Sequence, residues 1–217
     1  QASLTGHLVF STLHTNSAAA TITRLIDMGV EPFLITSSLQ CVVGQRLVRT
    51  ICPVCRQPYI PSPEELAEFG FSQKDVEGMS FFHGVGCEDC AHTGYKGRIG
   101  LFELLELDED LQDLVLAQVS TDQLHMAAVH KGMKTMRHDG WEKIEAGITT
   151  FEEVILHTPA DDEAKKDFEF DEIMKKVREK FQKDSKLEED QEKTTSKKPS
   201  SETTDPEKAL PQQGEEA

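Results

Sequence analysis

Tryptophan and tyrosine are scarce in this chain of 217 residues, one and two, although phenylalanine is not, at 11. Basic residues are few: 23 Lys and Arg stand against 39 Asp and Glu, for a formal charge of −16. Such a balance repels a phosphate backbone and argues against nucleic acid as a partner. Long apolar runs are absent. None approaches the roughly 20 residues that a membrane-spanning helix needs, so no direct membrane insertion is expected. The stretch also lacks GxxxxGK[ST] and an apolar strand that ends in an Asp-Glu pair. Phosphoryl transfer needs the first to hold phosphates and the second to hold Mg²⁺.

The apolar deficit is uneven. Residues 1–159 hold 21 acids and 11 bases, and residues 160–217 hold 18 and 12. From about Ala160 the chain turns Lys/Glu/Asp-rich and then Ser/Thr/Pro-rich. Residue 1 is Gln, and the first segment reads as the middle of a domain, so a C-terminal piece of something larger is expected.

Against this background the cysteines stand out. Four of the five form two CxxC pairs, Cys52/Cys55 and Cys87/Cys90, with 31 residues between the pairs. Two residues between thiols let both sulfurs turn toward one point, and two such pairs supply the four thiolates of a closed tetrahedral zinc site. Pro53 lies inside the first pair, and Gly84, Gly86, Gly94 and Gly97 crowd the second, as tight knuckle turns require. Two disulfides or unpaired thiols are the competing readings; the acidic composition is unlike that of a secreted disulfide scaffold. A closed site leaves no position for water and is structural. His83 and His92 flank the second pair as possible substitute ligands, but four cysteines already complete the tetrahedron. Cys41 falls in an apolar helical run and is expected to be a buried small hydrophobe.

Caps and stops punctuate residues 1–158. Gly6 to Thr12 (GHLVFST) reads as a short buried strand, followed by a helix capped by Asn16 or Ser17 and closed by Gly29. Pro32 opens a helix through about Val43, and Gln45 to Ile51 alternates as a strand that delivers Cys52. Ser62 and Glu65 form a capping box, as do Ser120 and Gln123. Arg98 to Leu105 reads as a strand, and Asp108 caps the next helix. Another helix spans about Met136 to Ala146, and Thr150 and Glu153 cap a last short one. In the tail, Phe170, Ile173, Met174, Val177 and Phe181 recur at helical spacing.

In order along the chain, these segments resemble the secretion ATPase superfamily, the motors of type II secretion and type IV pilus assembly. Leu4-Thr5-Gly6-His7-Leu8-Val9-Phe10-Ser11-Thr12-Leu13-His14-Thr15-Asn16 resembles its histidine box. Arg24 to Leu34 (RLIDMGVEPFL) and Gln45 to Arg49 (QRLVR) are similar to the segments that follow the box. Cys52-Pro53-Val54-Cys55 and Cys87 to Gly100 (CEDCAHTGYKGRIG) resemble its tetracysteine zinc subdomain. Met136 to Gly140 (MRHDG) and Gly147 to Val154 (GITTFEEV) resemble its C-terminal end. The tetracysteine element points to the type II secretion and pilus-extension branch (general secretion pathway protein E-like).

The resemblance implies an α/β fold: the C-terminal part of a RecA-like P-loop ATPase core, an inserted tetracysteine zinc subdomain and a helical C-terminal region. The expected division is core at 1–51, zinc subdomain at 52–97, C-terminal strand and helical subdomain at 98–158, charged amphipathic helix at 159–183 and disordered acidic tail at 184–217. It further implies a cytoplasmic homo-hexamer at the inner-membrane face that meets platform proteins of the secretion or pilus machinery. ATP and Mg²⁺ would serve the full-length protein, and structural zinc would sit on Cys52, Cys55, Cys87 and Cys90. Within the box, His14 and His7 are candidate catalytic or nucleotide-sensing residues. Thr12, Thr15 and Arg46 are nucleotide-binding candidates of lower rank. Because the family's P-loop precedes the box, this stretch alone is not expected to hydrolyse ATP. A non-catalytic zinc-stabilised adaptor is the alternative.

Overall fold

Alternation decides the centre of the fold. Val42, Gly44, Arg46 and Val48 turn one way and Val43, Gln45 and Leu47 the other, and β-branched valines favour the extended backbone. In the computed structural model, which describes residues 2–160 and 168–195 (without the side chains of 184–195), this stretch belongs to strand β1, Cys41–Ile51. The helix before it, α2 (Pro32–Ser38), is shorter than its sequence suggests. Cys41 therefore opens a strand and is exposed; it is not a buried helical residue. Helix α1 (Ala18–Asp27) precedes α2, with the Ser17 hydroxyl accepting from Ala20 N–H. Its end is closed by Gly29 at φ +85°, where N–H groups of Gly29 and Val30 bond back to Ile26 and Leu25.

Between β1 and its partner lies an excursion with strands β2 (Arg56–Tyr59) and β3 (Phe81–Gly84) around helix α3 (Pro63–Ala67). Strand β4 (Tyr95–Glu106) then returns antiparallel to β1, with Val42 opposite Leu105, Arg46 opposite Leu101 and Gly44 opposite Glu103. Four helices follow: α4 (Glu109–Leu116), α5 (Thr121–His130), α6 (Met136–Glu145) and α7 (Phe151–His157). The molecule is thus mixed α and β, with two antiparallel two-stranded sheets among the described residues.

The excursion has no apolar core of its own. Its Leu66, Val76 and Phe81 pack in one cluster with Val48 and Leu101 of the hairpin and with Ile144, Phe151 and Val154 of the C-terminal helices. Trp141 sits among Phe69, Phe71, Phe81 and Phe151 at ring distances of 4.3–6.0 Å. Buried Arg137 joins the two ends of this assembly. Its Nη1 donates to Glu68 O at 2.8 Å, and its Nη2 donates to Thr158 O at 3.0 Å.

Gly6 to Thr12 forms no strand. The segment is irregular, and Leu8 and Phe10 are 81% and 88% exposed. A strand needs a neighbour to take its N–H and C=O groups, and no described strand pairs with this segment. The last helix, α8, runs Phe170–Thr195 and so passes the expected end at residue 183. Met174 and Val177 are buried, and Phe170 stacks on His130 at 4.9 Å. Residues 161–167 and 196–217, which carry parts of the expected helix and tail, lie outside the described residues. No described helix is long and apolar enough to cross a membrane.

Candidate functional site

Strand β1 ends at Ile51 and hands Cys52 to a tight turn, while β3 leads into Cys87 and a single 3-10 turn, Glu88–Cys90. The two CxxC pairs meet because the second strand of each hairpin brings its knuckle back to the first. Backbone bonds hold the meeting: Cys52 N–H donates to Gly94 O at 2.9 Å and Val85 N–H to Cys55 O at 3.1 Å. Gly84 and Gly94 face each other so closely that a Cβ on either would collide with the other's carbonyl. Gly94 also has φ +78°, a left-handed conformation that favours glycine.

The sulfurs of Cys52, Cys55, Cys87 and Cys90 all lie within 4.8 Å of one another. Cys52–Cys87, Cys55–Cys90 and Cys87–Cys90 are 3.9, 3.8 and 3.7 Å apart. A disulfide would need about 2.05 Å. A tetrahedral ion with metal–sulfur bonds of about 2.3 Å puts its sulfurs about 3.8 Å apart. The spacing fits one metal ion held by four thiolates, and the disulfide reading falls. Burial opposes ionisation of Cys90, yet N–H groups of Cys87 and Gly94 donating to its Sγ at 3.2 and 3.3 Å, together with the neighbouring Cys87 and Cys55 thiols, outweigh it and bring this thiol down. His83 is not a ligand; its ring stacks on Tyr59 at 5.2 Å.

The histidine segment has a different character. His7 and His14 are both exposed, with His7 Nδ1 near Thr5 Oγ1 at 3.0 Å. Thr12 is exposed, and the Thr15 hydroxyl is shared with Thr21 at 2.7 Å. Arg46 Nη2 donates to Asn16 Oδ1 at 2.7 Å. Among the described residues no hydrogen bond joins any two of His7, Thr12, His14, Thr15 and Arg46.

Two acids on the same frame are buried with partners that the sequence did not suggest. Glu103 had no expected role, and Glu153, expected to help cap its helix, turns its carboxylate to β1 while Thr150 alone supplies the side-chain cap. Glu103, on β4, accepts from Ala18 N–H at 2.5 Å. Glu153, on α7, binds Arg49 of β1. The signal for Glu103 was present: it occupies the inward register of a strand whose other inward residues are Leu101 and Leu105. An acid in that register calls for a specific donor.

The family described as Type II/IV secretion system protein matches residues 1–156. The chain belongs to that family. Over 158 residues it is 48% identical to the type IV pilus assembly ATPase PilB of Thermus thermophilus, a match that covers 73% of this chain and 18% of the relative. Over 159 residues it is 47% identical to the type II secretion system protein E of Dickeya dadantii, covering 73% and 31%. The type II secretion system ATPase E of Vibrio cholerae is 47% identical over 158 residues, with the same coverage. The chain therefore spans less than a third of the length of these secretion-family relatives. The matched region carries the histidine segment, both cysteine pairs, α1 to α6 and all of α7 but its last residue, whereas α8 lies beyond it.

Proposed function

We propose that this chain is the C-terminal part of a hexameric P-loop ATPase that powers type II protein secretion or type IV pilus assembly. The observation that carries it is identity of 47–48% over 158 residues to relatives whose names include the word ATPase, beside a family match that runs from the histidine segment through the cysteine pairs to the C-terminal helices. In this reading residues 1–51 complete a RecA-like core, and Leu8-Val9-Phe10 gains strand partners there. An apolar run left exposed by this chain's own fold supports that role. ATP and Mg²⁺ would bind the whole protein. His14, placed after the apolar run, would hydrogen-bond the γ-phosphate or attacking water, with His7, Thr12, Thr15 and Arg46 as supporting polar groups. The metal would be zinc on Cys52, Cys55, Cys87 and Cys90, where it supplies structural cross-linking and no open coordination position. The assembly would act at the cytoplasmic face of the inner membrane, docked on platform proteins and not inserted.

ATP hydrolysis by the full-length gene product decides between this reading and a zinc-stabilised adaptor. Mg²⁺-dependent hydrolysis that is lost in His14→Ala, with metal content unchanged, is the expected result. A folded, metal-loaded full-length protein that binds its partners without hydrolysing ATP overturns the motor reading and establishes the adaptor.

A further inference from the structure

The hairpin that carries the first cysteine pair also grips the exit of the histidine segment at two points. Arg46 of β1 donates to Asn16 at 2.7 Å, and Glu103 of β4 accepts from Ala18 N–H at 2.5 Å. Both side chains stand on the inward register of the hairpin, where Gly44 pairs with Glu103 and Arg46 with Leu101. Gly44 makes the room. A Cβ there would come 2.7 Å from Glu103 Cγ and 2.9 Å from its Oε1. Glu103 is thus a carboxylate fitted between the fully buried Leu101 and Leu105 and over a glycine, and such burial is costly without a fixed donor.

Helix capping alone does not account for this contact. Ser17 already caps α1 by accepting from Ala20 N–H. The Glu103 bond adds a tie across 85 positions of sequence, at the residue that follows the box and its exit. Together the two contacts bracket Ser17 from both sides and fasten Asn16 and Ala18 to strands whose far ends lead into the cysteine knuckles.

We infer that Glu103 is a positioning residue: with Arg46, it fixes the Thr12–Asn16 end of the histidine segment to the metal-bearing hairpin. The catalytic consequence rests on the ATPase reading; the positioning itself does not. If His14 meets nucleotide, its placement is set by this tie, and displacement of the hairpin is transmitted to the box through two side chains.

The test uses the full-length protein with Glu103→Met, which fills the same apolar space with only a weakly accepting thioether, and Glu103→Gln, whose carbonyl can still accept. Hydrogen exchange is followed by mass spectrometry alongside metal content. Loss of a buried charge-assisted bond is expected to speed exchange across Thr15 to Ala20 by on the order of tenfold in Glu103→Met, with Gln restoring protection. Peptides covering Ile144 to Val154 and the metal stoichiometry stay as in the parent. Unchanged exchange at Thr15 to Ala20 overturns the inference, and so does an increase spread evenly over the core. For catalysis, a fall in kcat at constant KM in Glu103→Met, recovered in Gln, is expected. Unchanged kcat with local loosening overturns the catalytic part. A parent protein without ATPase activity overturns the ATPase reading, and the exchange result still decides the positioning.

Discussion

Glu153 is fully buried and binds Arg49 through three donors: backbone N–H at 2.7 Å, Nε at 2.8 Å and Nη2 at 2.5 Å. The guanidinium lies over the Tyr95 ring at 4.0 Å, and the Tyr95 hydroxyl meets Thr150 at 2.9 Å. One carboxylate therefore fastens α7 to β1 beside the first cysteine knuckle. Burial works against the ionised form, but the Arg49 donors outweigh it and hold the Glu153 carboxyl below its ordinary value.

That depression has a sign in solution. A carboxyl whose folded pKa lies below its unfolded one stabilises the fold above the unfolded value and loses that contribution as pH falls through the folded one. With an ordinary value of 4.5, the loss begins near that pH and continues below it. Glu153→Gln is expected to cost about 1–3 kcal/mol at neutral pH, since it weakens hydrogen bonds to a charged group. Its stability should also fall less steeply than the parent's below pH 4.5. Urea unfolding at several pH values checks both, and parallel acid profiles for the two proteins would contradict the assignment.

Metal removal is expected to act narrowly. The excursion between the cysteine pairs shares its core with α6 and α7, so Leu66, Val76 and Phe81 keep their partners when the ion leaves. The cysteine cluster packs separately. Chelation should therefore speed hydrogen exchange at Cys52 to Cys55 and Val85 to Gly94, while helix content by circular dichroism changes little. A large loss of helix signal, or exchange that rises equally at Leu66 and Phe81, would show that the ion supports the whole core.

Caps were the most legible part of the fold. Ser62 with Glu65, Ser120 with Gln123, Asp108 and Thr150 each start the helix that their local chemistry suggests, because a cap is satisfied within three residues. The cysteine cluster was legible for the same reason, each pair being local and only the meeting of pairs being tertiary. Strand content at Gly6 to Thr12 was not, since a strand exists only beside another strand. The α2/β1 boundary misled because the stretch from Leu39 to Val43, apolar except for Gln40, suits helix and strand alike; pairing of Val42 with Leu105 and Val43 with Leu104 settles it. The roles of Glu103, Arg137 and Glu153 depend on partners far along the chain, which no local pattern reveals.

The glycine contact at the knuckles makes a sharp demand. Because Gly84 and Gly94 touch backbone to backbone, a methyl group on Gly84 would meet a carbonyl that is itself bonded to Cys52 N–H. The backbone cannot step aside as a flexible side chain can. Gly84→Ala is expected to destabilise by about 1–3 kcal/mol and to lower metal occupancy by separating the pairs. Gly70→Ala serves as the contrast: its Cβ meets nothing, so metal content should hold, and any cost comes from its φ of +73° alone. Elemental analysis of the two purified variants tests this, and equal metal content in both would remove the packing argument.

Arg137 offers the most demanding prediction about the C-terminal helices. It is a buried cation whose donors reach Glu68 O, Thr158 O and, through Nε at 3.2 Å, the Thr158 hydroxyl, besides the Glu68 carboxylate. The Glu68 carboxylate, half exposed, lies 3.3 Å from Nη1. The arginine thus joins the end of α3 to the end of α7 while packing on the Phe69 ring at 5.3 Å. A lysine has one nitrogen and no planar fork, so it cannot reach the carbonyls of Glu68 and Thr158 together. Arg137→Lys should therefore behave as a disruptive change, costing about 1–3 kcal/mol with two carbonyls left short of donors. Arg137→Met keeps the stem packing and removes the buried charge, so it should cost no more than the lysine variant. Thermal or urea unfolding ranks them, and a lysine variant as stable as the parent would show that charge, and not the fork, holds these two ends together.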